Sequence, residues 1–262
     1  MFNDSMRTEA IPERVYSLCK VVEGKSMNNA DVREKMQPAY LNQSESASNY
    51  YTYYKNAAEE LQLITITDNV VSLTVDPKVL KNMETMRYYV NGQLDRFRNG
   101  QFYKVTQAYF SMGEEILHGE QNVANMVSIM RQKTGIPVDS IAMRAWRFWA
   151  AYLGFGYLRE MFVIPNADVF LYDIIQRADF DKNYKYSIAD FISRIKPHSD
   201  IIINSVDGSK TFNFGVSNGL RTLQDAGYIK MEYIMDQEDI WHLYHIDALS
   251  ANEMVTNITI LK

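Results

Sequence analysis

Three times along this chain an amphipathic helical stretch runs through a short polar or glycine step into the alternating pattern of a β-hairpin. A switch of hydrophobic period from 3.6 to 2 within a few residues leaves few folds open. The first copy reads Ala58-Glu-Glu-Leu-Gln-Leu-Ile64 and continues as Thr65-Ile-Thr-Asp-Asn-Val-Val-Ser-Leu73. The third reads Leu223-Gln-Asp-Ala-Gly-Tyr-Ile229, then Lys230-Met-Glu-Tyr-Ile, a polar turn at 236–239, and Ile240-Trp-His-Leu-Tyr244. A middle copy runs from Ala151-Tyr-Leu-Gly-Phe155 into Tyr157–Ile164, with a Pro165-Asn166 turn. The copies centre on Leu63, Phe155 and Tyr228, 92 and then 73 residues apart. Uneven spacing argues against a stacked solenoid and for duplicated domains.

The surrounding pattern supplies helices for each copy. Ile11, Val15, Leu18 and Val22 mark one helix face, with Pro12 in its first turn and Gly24 at its end. A short helix over 30–36 follows, capped by Asn28 or Asn29 and stopped by Pro38. A third, over 48–61, turns Tyr50, Tyr54, Ala57 and Leu61 inward. Val79, Met83, Met86, Val90, Leu94 and Phe97 form a narrow stripe near a seven-residue repeat. It predicts one connecting helix of about 20 residues, roughly 30 Å long. A second helical set over 102–153 contains Trp146 and Trp149, for which core is the expected place. The last set includes a capped helix from Ser187 to Ile195, a loop over 196–213 with Pro197 and Asp207-Gly208, a possible strand at 201–203 and a third helix over 216–226. Residues 255–261 read equally as strand, helix or docking tail.

The expected class is therefore mainly α with small β-hairpins (α+β). Its units are 1–77, a connecting helix 78–100, a degenerate middle domain 101–166, a last domain 167–248 and a tail 249–262. Cys19 is the only cysteine, in an apolar helical stretch, which excludes a disulfide framework and a CxxC centre. The polar start of the chain and the lack of a long apolar run predict a cytoplasmic protein without membrane contact. A net charge of −5 argues against coating nucleic acid by charge alone, yet leaves room for a local basic face.

Catalytic signals are missing. Gly154-Phe-Gly156 follows a helix rather than opening one, and no phosphate loop appears. His242 and His245, three apart on a strand, would point to opposite faces; His118 and Glu120 are loop neighbours. These residues predict no enzyme, no cofactor and no metal.

Binding chemistry is more visible. Ser217, Arg221 and Gln224 fall on one stripe of the last third helix, with Asn218 beside them. Arginine and amide side chains make paired hydrogen bonds to base edges, while Lys210 and Lys230 would hold the backbone of double-stranded DNA. In the first unit Tyr51, Tyr53 and Lys55 predict a patch for a larger protein partner or a second copy. The middle unit offers Arg144 and Arg147, but its apolar, short hairpin suggests a structural or dimerising module.

Helix, step and hairpin together resemble the winged-helix superfamily in tandem. Ile11-Pro-Glu-Arg-Val-Tyr-Ser-Leu18, Met36-Gln-Pro38, Glu60-Leu-Gln-Leu-Ile64 and Asn218-Gly-Leu-Arg-Thr-Leu-Gln-Asp-Ala-Gly-Tyr-Ile229 are similar to the DpdG-type accessory proteins of bacterial clusters that place 7-deazaguanine in DNA. That resemblance covers both ends and leaves 78–165 unmatched. It implies a non-catalytic component of a DNA modification and restriction, or phage-defence, system. A looser likeness is to the tandem winged-helix subunits that bind kleisins, which would make the chain a protein scaffold; a dimeric transcription regulator is a third option.

Overall fold

Pro12 fixes φ at a helix start, where its missing N–H has no bond to lose. The spacing of Val15, Leu18, Cys19 and Val22 then buries one face of α1 (Pro12–Val22). In this computed structural model, residues 1–3, 5–38, 40, 50–118, 123–160, 162–203, 209–246 and 253–262 are described. Asn28 ends β1 (Met27–Asn28) and caps α2 (Asn29–Met36), accepting the Ala30 N–H at 2.9 Å. α3 (Tyr50–Glu60) leads into β2 (Ile64–Thr67) and β3 (Val70–Leu73); positions 48 and 49 of the expected helix lie outside the described residues. Asp68 and Asn69 take φ of 50° and 62°, a two-residue reversal whose twist matches the strands. β1 pairs with β3, giving the strand order β1-β3-β2.

The expected long connecting helix is absent. Its stripe is divided among a 3-10 turn (Pro77–Leu80), α4 (Met83–Asn91) and a second 3-10 turn (Leu94–Phe97). Asn82 and Thr85 form a reciprocal cap that starts α4 afresh, and Gly92 ends it. Asn and Asp side chains compete for backbone groups in this way and break a helix that apolar spacing alone would continue. Of the stripe, Met86, Val90, Leu94 and Phe97 are nonetheless buried and Val79 and Met83 half-buried, while Leu80, outside it, is buried too.

The middle unit comprises α5 (Gln101–Phe110), α6 (Glu115–His118), α7 (Val123–Thr134), α8 (Ser140–Tyr152), β4 (Gly156–Arg159) and β5 (Phe162–Pro165). Position 120, paired in sequence with His118, lies outside the described residues. The hairpin reverses between Arg159 and Phe162, with Glu160 at φ 53°, and not at Pro165-Asn166 as the sequence suggested. Gly154 (φ 85°) hands α8 to the hairpin; a Cβ there would stand 2.6 Å from the backbone nitrogen of Phe170.

The last unit has α9 (Asp168–Arg177), β6 (Lys185–Ser187), α10 (Ile188–Ile203), α11 (Phe214–Asp225), β7 (Ile229–Glu232), β8 (Trp241–His242), β9 (Met254–Val255) and β10 (Asn257–Ile260). The Ser187 hydroxyl accepts the Asp190 N–H at 3.1 Å, the cap expected from sequence. α10 does not stop at Ile195 but continues through Pro197, so 201–203 is helix rather than strand. Burying Ile201, Ile202 and Ile203 outweighs an interior proline's cost of about 3 kcal/mol. Positions 207 and 208 of the expected loop lie outside the described residues. β7 pairs with β10, Met231 opposite Ile258, rather than with the 240–244 segment. The supposed tail is thus the central strand of a sheet ordered β6-β10-β7, which repeats the first unit's connectivity.

Buried apolar side chains from Met1 to Ile260 form one continuous cluster, so the units share a core. Among the described residues no helix is long and apolar enough to cross a membrane. Cys19 lies within this core, where burial pushes its thiol up to about 12. A neutral, inaccessible thiol is not a nucleophile. Ellman's reagent should therefore leave the native protein unmodified and label one equivalent in denaturant; rapid native labelling would contradict this burial.

Candidate nucleic-acid interface

The polar stripe expected to read DNA is largely engaged within the molecule: Ser217 is buried, Asn218 and Arg221 are half-buried, and only Gln224 is exposed. Asn213 caps α11, its side chain accepting the Val216 N–H at 3.0 Å. Gly215 and Gly219 let the helix approach Phe110, Pro165 and the Ala167–Asp168 backbone, all closer than a Cβ would allow. Ser217 is fully buried: its hydroxyl donates to the Phe212 carbonyl at 3.2 Å and accepts the Tyr244 N–H at 2.8 Å. Arg221 donates to the Tyr244 carbonyl at 2.7 Å, and its Nε and Nη1 are buried with no partner among the described residues. Burial lowers its pKa, with Glu253 opposing. Asn218 donates to the Pro165 carbonyl at 3.1 Å, and Gln224 accepts the Met231 N–H at 2.8 Å. Lys210 pairs with Asp239 and Lys230 with Glu232, at 2.6 and 2.9 Å. Ser217, Asn218, Arg221 and Gln224 thus satisfy backbone groups of the segments lying against α11, and the two lysines are neutralised by carboxylates. Periodicity marks them as polar and carries no sign of that use.

The tyrosine patch is also corrected. Tyr51 is 3% exposed, edge-on to Tyr54 at 5.6 Å. Its hydroxyl donates to Asn29 at 2.7 Å, and burial raises its pKa to about 12. Tyr53 is half-buried beneath the Arg7 guanidinium (5.6 Å), and the Lys55 ammonium stands 5.9 Å from the Tyr51 ring. Only Tyr53 and Lys55 of the three reach solvent, beside exposed Glu59.

The middle unit's last helix, α8, is open on its outer side. Asp139 caps α8 through the Ala142 N–H at 2.6 Å. Two buried indoles fix its inner face: Trp146 donates to Thr106 at 3.0 Å and Trp149 to the Ala10 carbonyl at 2.5 Å. Ser140, Ile141 and Arg144 are exposed on the outer face, with Arg147 and Phe148 half-buried behind them. Arg147 donates to the Glu160 carbonyl at 2.6 Å and lies 4.8 Å from the Phe148 ring, which joins the helix to the hairpin tip. Tyr157, Leu158 and Arg159 are exposed along β4, Tyr157 and Arg159 on one side of the ribbon and Leu158 on the other. Burial, and then the charge of Arg144, lower the Arg147 pKa, so two cations are held together against their repulsion.

Arg144 and Arg159 form no ion pair among the described residues. α8 contains no Asp or Glu, whereas α3 ends in Glu59-Glu60 and α11 in Asp225. Residues 78–166 hold eleven lysines and arginines against seven acidic residues; the rest of the chain holds sixteen against twenty-five. The acid-free helix and this local charge were signals in the sequence that the apolar hairpin obscured, and Arg159 was missed. Chemically, the face presents guanidinium forks suited to phosphate oxygens or a guanine edge, flanked by apolar side chains. Comparison with family models, curated proteins and solved structures finds no match for the chain.

Proposed function

We propose that this chain is a non-enzymatic DNA-binding accessory protein built from winged-helix units, with the α8–hairpin face of the middle unit lying on the duplex. The observation that carries this reading is the helix that leads into the hairpin, joined to the hairpin tip by Arg147, with Arg144 and Arg159 on the two elements and no carboxylate on the helix. The winged-helix part draws support from the order of elements. At both ends of the chain a helix, a strand and two helices lead into further strands, two in the first unit and four in the last, and the first strand of each unit pairs with its last. In such units the third helix enters the major groove and the hairpin meets the backbone. A place in a DNA modification and restriction, or phage-defence, system rests on the sequence resemblance alone.

Ile141, Tyr157 and Leu158 are exposed, at 39, 50 and 46%, on or beside the same face, which favours a second reading as a protein-binding scaffold. Fluorescence anisotropy of a labelled duplex with the full chain, at low and near-physiological salt, separates the two. Binding that weakens steeply with salt is expected for phosphate contacts. No binding at low salt by folded protein would remove the DNA reading and leave the scaffold.

A further inference from the structure

α4, α9 and the 3-10 turn before α4 line an open cleft of about 470 Å³ that shares no residue with the basic face and is within the size range of small-molecule sites. Its closed side is a charge-neutral pair: Arg87 donates Nε and Nη2 to Asp173 at 2.9 and 3.1 Å, and Asn91 adds a bond of 2.8 Å. Tyr88, Tyr89 and Tyr172 supply aromatic surface, Tyr88 being 37% exposed. Arg177 is held at this wall. Its guanidinium lies 4.3 Å from the Tyr88 ring, donates to the Tyr88 carbonyl at 2.6 Å, and occupies space that any side chain at Gly92 would fill. Neither Arg177 nor Lys78 at the rim has a carboxylate within ion-pair distance among the described residues. Aromatic rings bind a planar partner by stacking, and two unneutralised cations bind an anion.

We propose that this cleft binds a nucleoside monophosphate, its base against the tyrosines and its phosphate at Arg177 and Lys78. Gln93 and Glu84, also in the lining, offer hydrogen-bonding groups to base or ribose. Nothing in this argument depends on DNA binding by α8.

Isothermal titration of the full chain with AMP, GMP, CMP and UMP tests it, with adenosine and inorganic phosphate as partial ligands. At least one monophosphate should saturate with a Kd below about 1 mM, and the partial ligands should bind about tenfold more weakly or not at all. Tyr88→Ala and Arg177→Gln should each weaken binding by about tenfold, while Met235→Ala, 81% exposed and outside the lining, leaves it unchanged. Should Arg177→Gln fail to fold, Tyr88→Ala and Lys78→Ala, both at exposed positions, carry the test. No saturation by any monophosphate up to about 1 mM, variants that bind like wild type, or phosphate binding as tightly as the nucleotide would each overturn the proposal.

Discussion

Phe2→Ala should lower stability by about 3–5 kcal/mol, among the largest losses a single truncation in this chain can cause. Phe2 is fully buried, with the rings of Phe97, Phe102 and Trp149 at 5.1, 5.0 and 4.9 Å. Its carbonyl sits where Gly100 leaves room, since a Cβ there would come within 1.9 Å. The segment around it is tied down too: the Phe2 N–H donates to Glu60 at 2.8 Å, Met6 N–H to Gln101 at 3.2 Å, and Ala10 receives the Trp149 indole. The cavity therefore opens where the first unit meets the middle one and cannot close by local collapse. A thermal melt followed by circular dichroism should move down by about 10 °C, whereas Leu158→Ala, 46% exposed, should stay within about 0.5 kcal/mol. A Phe2→Ala melt within about 2 °C of wild type would show that this ring is not part of the shared core.

Phe2 also marks the limit of reading by pattern. Periodic signals gave α1, the Asp68-Asn69 hairpin, the Ser187 cap and the two core tryptophans, because each is specified within a few neighbouring residues. A lone phenylalanine near the start of a polar stretch has no period, and its partners lie about a hundred residues away. Similar long-range terms decided the other departures. Pro197 stays helical because three isoleucines beyond it are buried, and β10 joins β7 because its alternating Ile258 and Ile260 are buried in the core. The 236–239 turn looked sufficient for a hairpin by itself, yet the partner strand lies twenty residues further on. For the binding surface the sequence correctly marks which residues are polar. Whether a polar side chain faces solvent or a neighbouring backbone depends on which distant segment folds over it, as the Tyr244 segment does over Ser217, and that hid both the burial of Ser217 and the openness of α8.

Charge reversal at Arg144 and Arg159 should abolish duplex binding that Arg221→Ala leaves nearly intact. Arg144 stands exposed on α8 and Arg159 on β4, so Arg144→Glu with Arg159→Glu removes two cations and adds two anions without opening a cavity. Removing one arginine from a phosphate should lower the salt slope of log K by about 0.9, and the single change Arg144→Ala should cost about 1–3 kcal/mol if it bonds a base edge. Reversal adds repulsion, so affinity should fall by at least about a hundredfold at low salt. Arg221 points the other way: its guanidinium holds the Tyr244 carbonyl, and two of its nitrogens are buried. Truncating it should act on the fold, through the Tyr244 segment over α11, and change affinity by less than about threefold. Anisotropy titrations of the three proteins, with melts to confirm folding, make the comparison direct. If Arg221→Ala weakens binding and the reversed pair does not, α11 is the reading helix and must shed the 241–245 segment to act. If neither does, the arginines of α8 serve another partner.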